Sequence, residues 1–403
     1  MKYLVVLTDG AGDRPIPELE GKTPLQVAEL KNINEMAKHS EIGTVQTIPE
    51  GMSPGSDAAN LSVMGFDPKV YHTGRSPLEA VSMGIDMTKT DVAFRCNLVT
   101  LSKDEPYLEK TILDHSSGDI TSEEAAELIK AVQEQLGTDR ISFYPGFSYR
   151  HAMIVHNGDT DFTLTPPHDI LTQKISGYMP ADDDKTGFIR DMMIKSYDIL
   201  KDHPVNVSRR ERGLNTADSI WIWGQGRKPK LPSFTEKYGI TGAAISAVDL
   251  IKGIGLCAGL ESIDVEGATG TLNTNYTGKK DAAVAAFDKG LDFVYVHLEA
   301  PDECSHQGDM PGKIKCLELI DEKIVGPMKE YLEACGDDYK ILVIPDHPTP
   351  LEIRTHSSES VPFVLYDSRK EIFNEENAYN EAAGSKGMYF ATGYELADYF
   401  FTA

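Results

Sequence analysis

The sequence predicts an α/β protein with a mainly parallel sheet flanked by helices and an inserted α+β domain. Near both ends of the chain, short apolar runs alternate with helical patterns, which is typical of βαβ units. From about residue 90 to 225 the runs instead alternate apolar and polar residues, as half-buried strands do. The length of 403 residues, 40% of them hydrophobic, suffices for two domains. We therefore expect a discontinuous core formed by residues 1–90 and 226–403, with an inserted domain at 91–225.

The core elements are predicted from runs of apolar residues and from the residues that begin and end helices and strands. A buried strand is predicted at 3–7, and Thr23-Pro24 then begins a helix that runs to about His39, because proline fits the first helical position. Further buried strands are predicted at 292–298, 340–344 and 361–366. Helices are predicted at 311–334 and 393–401.

The predicted insertion consists of strands joined by turns, with two helices among them. The strand patterns lie at 92–101, 107–113, 140–144, 150–156 and 219–223. One helix begins at Ser122 and the other covers about 187–201. This order predicts an α+β unit rather than more strands of the parallel sheet.

The charge balance argues against some classes of partner. There are 63 acidic and 39 basic residues, which gives a formal net charge of −24. Such a field repels polyanions, so we expect neither nucleic acid nor an anionic membrane as a partner. A small phosphorylated ligand remains compatible if local cations surround its phosphate.

The cysteines and the N-terminus predict a cytoplasmic protein. Five widely spaced cysteines with no Cys-x-x-Cys pair indicate reduced thiols rather than disulfides or a thiolate zinc site. The first apolar run is too short for a signal peptide, and no stretch approaches the roughly 18 apolar residues needed to cross a bilayer. The sequence does not indicate an oligomeric state.

Three aspartates follow predicted buried strands, and histidines accompany two of them. In open α/β sheets ligands bind at the carboxyl ends of strands. The six residues of this pattern are Asp9, Asp302, Asp346, His306, His347 and His356. Carboxylates and imidazoles without thiolates suit Mn²⁺, Zn²⁺ or Co²⁺, and six ligands are enough for a pair of ions that acts in phosphoryl transfer. Alternatively, aspartates after strands begin turns and the histidines are structural; His39, His72, His203 and His297 are interpreted in this way, as surface or core residues.

Ser56 lies in a turn that leads into a helical pattern, in Pro54-Gly55-Ser56-Asp57. One interpretation is a helix N-cap. The other is a nucleophile, because a helix N-terminus beside a metal favours the alkoxide and then the phosphoryl group. The choice depends on whether the metal site exists.

The order of these residues resembles that of the alkaline phosphatase superfamily, and more closely that of the short, archaeal-type branch of cofactor-independent (2,3-bisphosphoglycerate-independent) phosphoglycerate mutases. The segments that carry the resemblance lie at both ends of the chain: LTDGAGDRP at 7–15, SPGSDAANLSVMGFDP at 53–68, TGRSPLEA at 73–80, AVDLIKGIG at 247–255 and PDECSHQGD at 301–309. GFSYRHAMIV at 146–155 and NTADSIWIWGQG at 215–226 extend it into the insertion.

The resemblance implies an alkaline-phosphatase-like core, a lid formed by the insertion, and two divalent ions. One ion would be held by Asp302, His306 and His356. The other would be held by Asp9, Ser56, Asp346 and His347. Mn²⁺ is the favoured ion, with Zn²⁺, Co²⁺ and Mg²⁺ as alternatives.

The implied reaction is the interconversion of 3-phosphoglycerate and 2-phosphoglycerate through a phosphoserine at Ser56, with a small phosphorylated metabolite as the partner. Candidates for binding the substrate are Arg95, Arg150 and His151 in the insertion and Lys237 in the core. Three alternatives remain open. Water as acceptor would make the protein a phosphomonoesterase, another metabolite would make it a homoserine kinase-like phosphotransferase, and an inactive phosphatase fold would make it a metal-binding protein.

Overall fold

The computed structural model describes residues 1–402 and divides into two compact units. The first unit combines Met1–His72 with the chain from Lys230 onward, and the second unit is Thr73–Pro229.

The strands, numbered along the chain, are β1 (Lys2–Thr8), β2 (Glu41–Val45), β3 (Val92–Leu101), β4 (Ile112–Asp114), β5 (Ile141–Tyr144), β6 (Arg150–Val155), β7 (Ser219–Arg227), β8 (Gly242–Ile245), β9 (Glu261–Ile263), β10 (Phe293–Leu298), β11 (Tyr339–Ile344), β12 (Val361–Asp367) and β13 (Met388–Phe390).

The helices are α1 (Pro24–Val27), α2 (Lys31–Ala37), α3 (Ser56–Val63), α4 (Pro68–Tyr71), α5 (Ser76–Ser82), α6 (Ser122–Leu136), α7 (Gly187–Leu200), α8 (Pro204–Glu211), α9 (Phe234–Tyr238), α10 (Asp249–Cys257), α11 (Tyr276–Asp288), α12 (Ala300–Gln307), α13 (Met310–Ile320), α14 (Gly326–Cys335), α15 (Glu381–Gly384) and α16 (Gly393–Thr402). A π-helical stretch, Asp321–Val325, joins α13 to α14, and short 3₁₀ turns occupy Pro17–Leu19, Tyr107–Glu109, Pro167–Ile170 and Ile175–Gly177.

The first unit contains an eight-stranded sheet in the order β13-β2-β12-β11-β1-β10-β8-β9. Among the strands that residues 1–402 form in this sheet, only β12 runs antiparallel to its neighbours. Every residue of β10 and β11 is buried, as expected for central strands covered on both faces. The prediction of a mainly parallel sheet flanked by helices is confirmed.

The register of the central strands aligns their carboxyl ends. Thr8 of β1 pairs with Leu298 of β10, and Leu7 pairs with Ile344 of β11. The residues that follow these three strands therefore emerge at one edge of the sheet.

The single helix predicted from Thr23 to about His39 is wrong in part. Its start is confirmed by a capping box between Thr23 and Gln26. The helix ends at Val27, and α2 begins only at Lys31. Leu25 and Leu30 would lie about 140° apart around one continuous helix. The break allows both to be buried in the same core.

The second unit contains an antiparallel sheet of five strands. Four of them follow the order β4-β3-β6-β5, and the fifth, β7, also pairs with β3. Helices α6 and α7 contribute Leu128, Ile129, Ile189 and Met193 to the core beneath it. The strand predicted at 107–113 is mostly wrong, since a 3₁₀ turn occupies its first part and β4 is only three residues long.

The second unit begins earlier than the predicted boundary near residue 90. Helix α5 packs on β3 and β7 of this unit. Ala80 of this helix shares a small apolar cluster with Ala93 and Ile154. Burial of that face accounts for the start at residue 73, whereas the end at residue 229 lies close to the predicted 225. Among residues 1–402, no helix is long and apolar enough to cross a membrane.

Candidate metal centre and active site

Three buried aspartates gather where the central strands of the first unit end. Asp9 directly follows β1, Asp346 lies two residues beyond β11, and Asp302 lies in α12, which begins just after β10. Their exposed fractions are 2%, 0% and 5% respectively. The carboxyl ends of parallel strands thus concentrate negative charge away from water, as the sequence pattern predicts.

The first group of ligand-type residues surrounds Asp302. His306, one helical turn later in α12, has its Nε2 3.0 Å from Asp302 Oδ2. His356 has its Nε2 3.5 Å from Asp302 Oδ1 and 3.1 Å from Nε2 of His306. The expected face-sharing of residues 302 and 306 on a helix is therefore observed.

The second group consists of Asp9, Asp346 and His347. His347 Nε2 lies 3.2 Å from Asp346 Oδ2 and 3.7 Å from Asp9 Oδ1. Ligand atoms of His347, Asp302 and His356 also lie within 4.8 Å of one another, which is close enough for the three residues to share one ion. The structure therefore brings all six predicted residues into one continuous cluster.

The electrostatics of the cluster fit divalent cations. Burial, and then the neighbouring Asp346 and Asp302, raise the pKa of Asp9 well above its usual value. Burial acts in the same direction on Asp302, but hydrogen bonds from His306 and His356 outweigh it and lower the pKa of that carboxyl. Among the described residues, the buried Oδ1 of Asp9 has no hydrogen-bond partner. Carboxylates and imidazoles are the ligands that Mn²⁺, Zn²⁺ and Co²⁺ prefer, and a bound ion would give this unpaired oxygen a partner.

Ser56 is the first residue of α3, and its Oγ lies 3.2 Å from His347 Nε2. The N-cap of this helix is Gly55, which provides no side-chain hydrogen bond. The N-cap interpretation of Ser56 is therefore wrong, and its hydroxyl lies beside the second group of ligands.

Gly10 allows the close approach of two elements within the cluster. Its φ of +65° lies in the left-handed region, and a Cβ there would come within 2.6 Å of the Asp302 Cα. Its backbone N–H donates to Asp346 Oδ1 at 3.2 Å. Any larger residue would separate these aspartates.

Two residues that contact the cluster were missed from the sequence. Asn60 of α3 donates through Nδ2 to Asp346 Oδ2 at 3.0 Å. His297 of β10, interpreted from sequence as a surface or core residue, has its Nε2 3.0 Å from Asp9 Oδ2. Burial, assisted by the charge of Lys279, lowers the pKa of His297 to about 3. The available signal was a histidine inside a buried, mostly apolar strand, since a buried imidazole needs a hydrogen-bond partner.

The insertion candidates lie on the antiparallel sheet of the second unit. Arg95 forms an ion pair with Glu79, and its guanidinium carbon lies 4.8 Å from the centroid of the Trp223 ring. Arg150 is exposed and lies 5.5 Å from the Tyr149 ring.

His151 lies on the other face of that sheet. Arg150 pairs with Asn97, two residues from Arg95 on β3, whereas His151 pairs with Cys96. Side chains alternate between the faces, so Arg95 and Arg150 share one face and His151 points to the other. His151 is 4% exposed, and burial lowers its pKa to about 3. The structure does not bring the three candidates together.

Lys237 lies in α9 of the first unit. Its ammonium donates to the Gly65 carbonyl and forms an ion pair of 2.9 Å with Asp398. It also lies 4.7 Å from the ring of Tyr238. These contacts tie α9 to α16 and to the turn after α3.

Comparison with known proteins identifies the family. The family model for 2,3-bisphosphoglycerate-independent phosphoglycerate mutase matches residues 37–206. The chain is 47% identical over 399 residues to the probable 2,3-bisphosphoglycerate-independent phosphoglycerate mutase of Geobacter sulfurreducens, which covers 99% of both chains. It is 48% identical over 389 residues to that mutase of Methanothrix thermoacetophila, which covers 96% of both chains.

A solved structure agrees with these relatives. The cofactor-independent phosphoglycerate mutase of Thermoplasma acidophilum matches with a TM-score of 0.67 and 28% identity, covering 99% of each chain. Because the similarity extends over almost the entire sequence, this chain belongs to the family of 2,3-bisphosphoglycerate-independent phosphoglycerate mutases.

Proposed function

We propose that the protein interconverts 3-phosphoglycerate and 2-phosphoglycerate, with Ser56 as the temporary phosphoryl acceptor. The observation that carries this proposal is the position of Ser56 Oγ, 3.2 Å from His347 Nε2 at the start of α3. A hydroxyl at a helix N-terminus beside a ligand cluster has what a nucleophile for phosphate needs.

The proposed ligands divide between two ions. Asp9, Ser56, Asp346 and His347 would hold one. Asp302, His306 and His356 would hold the other, with Mn²⁺ favoured over Zn²⁺, Co²⁺ and Mg²⁺. Bound there, divalent ions would lower the pKa of the hydroxyl and stabilise charge on the phosphoryl oxygens.

The bond changes on the protein side are simple. Ser56 Oγ gives up its proton and forms a bond to phosphorus as the bond from phosphorus to the glycerate oxygen breaks, and that oxygen takes up a proton. In the second half, the other glycerate hydroxyl gives up its proton and forms a bond to phosphorus as the bond from phosphorus to Ser56 Oγ breaks, and Oγ takes up a proton again. The backbone N–H groups at the start of α3 favour the negative phosphoryl group on Ser56.

We also propose that the second unit holds the glycerate and excludes water while Ser56 is phosphorylated. Arg95 and Arg150 share one face of its sheet. Arg150 is exposed and offers a cation to a carboxylate or phosphate, and Arg95, which is paired with Glu79, is the second candidate. Lys237 is the corresponding candidate in the first unit. His151 faces the other way and is not part of this proposal. A cytoplasmic location is supported by the five widely spaced cysteines, which include no Cys-x-x-Cys pair.

The test is to incubate the purified protein with Mn²⁺ and 3-phosphoglycerate, without 2,3-bisphosphoglycerate, and to follow the products by ³¹P NMR. Conversion to 2-phosphoglycerate is expected. Release of inorganic phosphate alone would overturn the proposal in favour of a phosphomonoesterase. Formation of a phosphate ester only from homoserine and ATP, in a parallel sample, would overturn it in favour of a kinase-like transferase.

A further inference from the structure

We propose that His297 is a positioning residue for the metal centre, held by Ser246 in the Nε2–H tautomer so that it aims the free oxygen of Asp9 at the ion. This inference rests on the proposed metal site but concerns a residue outside its ligand set. It extends the site inward by two residues, one on β10 and one just after β8.

The hydrogen bonds around His297 define its tautomer. Ser246 Oγ accepts the backbone N–H of Val248 at 2.9 Å and lies 3.1 Å from His297 Nδ1. The Val248 carbonyl is 3.5 Å from the same hydroxyl, so the imidazole nitrogen is the nearer acceptor for its proton. An unprotonated Nδ1 leaves the proton of the neutral ring on Nε2, 3.0 Å from Asp9 Oδ2.

The opposite tautomer would place two acceptors against each other. A carboxylate only accepts hydrogen bonds, and a metal ligand must be in the carboxylate form. An unprotonated Nε2 facing Asp9 Oδ2 would therefore leave both atoms unpaired inside a fully buried site. His297 is 0% exposed and Asp9 is 2% exposed, so water does not relieve that cost.

The result is a carboxylate with two different oxygens. Oδ2 of Asp9 is occupied by His297, whereas the buried Oδ1 has no hydrogen-bond partner among residues 1–402. Oδ1 is also the oxygen that faces His347, at 3.7 Å from its Nε2. His297 thus fixes the rotation of the carboxylate and leaves one oxygen for the ion, as outer hydrogen bonds to metal ligands commonly do.

The neighbouring aspartate is oriented from the same strand. Tyr295, two residues before His297 on β10, donates its hydroxyl to Asn60 Oδ1 at 2.6 Å. This bond fixes the amide so that Nδ2 donates to Asp346 Oδ2 at 3.0 Å. Residues two apart on a strand face the same side, so β10 supports both aspartates of the second group.

The first experiment measures Mn²⁺ binding to the metal-stripped protein by isothermal titration calorimetry. His297→Phe fills the space without a donor, and we expect one of the two ions to bind about 10–100-fold more weakly. His297→Gln places an N–H donor near the position of Nε2 and should restore most of that affinity. His156→Phe is the matched control, because it breaks a similar histidine–aspartate pair, with Asp91, in the second unit.

The second experiment reads the tautomer in the wild-type protein by long-range ¹H–¹⁵N NMR, and does not depend on whether His297→Phe folds. A protonated Nε2 with an unprotonated Nδ1 is expected. Ser246→Ala should mix the tautomers and weaken the same ion by a smaller factor. A proton on Nδ1 alone, or unchanged Mn²⁺ affinity in His297→Phe, would overturn the inference. Neither readout uses mutase activity, so failure of the proposed reaction would be seen separately.

Discussion

The two sheets of this protein gather polar residues by different rules. In the first unit, β1, β10 and β11 are parallel neighbours, so residues about 300 positions apart in sequence meet at one edge. In the second unit the strands are antiparallel, and consecutive strand ends lie at opposite edges. The position of a polar residue just after a parallel strand therefore predicts which other strand-end residues lie near it, whereas a position on an antiparallel strand does not.

In the antiparallel sheet the pairing register decides which side chains meet. Arg95 and Arg150 share a face only because Arg150 pairs with Asn97. A shift of one residue would exchange the faces of Arg150 and His151. In the first unit the residue types and their spacing were enough to predict the chemistry, whereas in the second unit they were not enough to predict which side chains meet.

The strongest test of this contrast is Ser56→Ala in the first unit. We expect mutase activity to fall by roughly four orders of magnitude or more, because the covalent step is lost. The fold should be unchanged, and phosphate should appear by mass spectrometry on the wild-type peptide that contains Ser56. Ser62→Ala, a buried serine in the same helix, is the control and should keep its activity. Near-full activity in Ser56→Ala would contradict the phosphoserine.

Much of the first unit could be predicted because its signals are local. The apolar runs at β1, β10 and β11 and the proline after Thr23 were read directly from the sequence. The break between α1 and α2 could not be predicted, because it depends on the burial of Leu30 in the same core cluster as Leu25. Helical periodicity alone does not contain that information.

The site shows the same division between local and tertiary signals. The aspartates follow strands and His306 follows Asp302 by one turn, so their proximity was predictable. Asn60 and His297 contact Asp346 and Asp9 only through the packing of α3 and β10 against the strand ends. Hydrogen bonds between residues 286 or 288 positions apart leave no spacing pattern in one sequence.

Asp9→Asn tests whether the strand-end carboxylates hold ions. The substitution preserves the shape of the side chain and removes its charge, so we expect the protein to retain one Mn²⁺ instead of two after dialysis. Activity should fall about 100-fold or more, since one ion of the pair is lost. Elemental analysis counts the ions, and Asp264→Asn, at an exposed position of the same unit, is the control. Two ions in Asp9→Asn would show that the site is built from other residues.

The second unit should lose stability in acid because of His151. Burial lowers the pKa of this histidine to about 3 in the folded state, whereas an unfolded histidine titrates near 6.5. Between these values the unfolded state binds a proton that the folded state does not, so stability falls as the pH falls. The loss should reach about 2 kcal/mol between pH 6.5 and pH 5.

Urea unfolding followed by hydrogen exchange of peptides from residues 73–229 measures this effect. In His151→Phe the free energy of unfolding at pH 7 should be lower, because Gly146 N–H loses its acceptor. Its decrease between pH 6.5 and pH 5 should be smaller than in the wild type by about 2 kcal/mol. An unchanged pH dependence in the variant would assign the acid sensitivity to other groups.

Arg150→Ala gives the smallest expected effect and tests the contrast most sharply. If the second unit supplies binding rather than metal chemistry, kcat/KM should fall roughly tenfold, since a charged hydrogen bond contributes on the order of 1.5 kcal/mol. Mn²⁺ affinity should stay at the wild-type value, unlike in Asp9→Asn. Lys130→Ala, an exposed cation on α6, controls for the general loss of positive charge from this unit. Weaker Mn²⁺ binding in Arg150→Ala would contradict the separation of roles, whereas unchanged kcat/KM would remove Arg150 from the substrate site and leave Arg95 as the arginine on that face of the sheet.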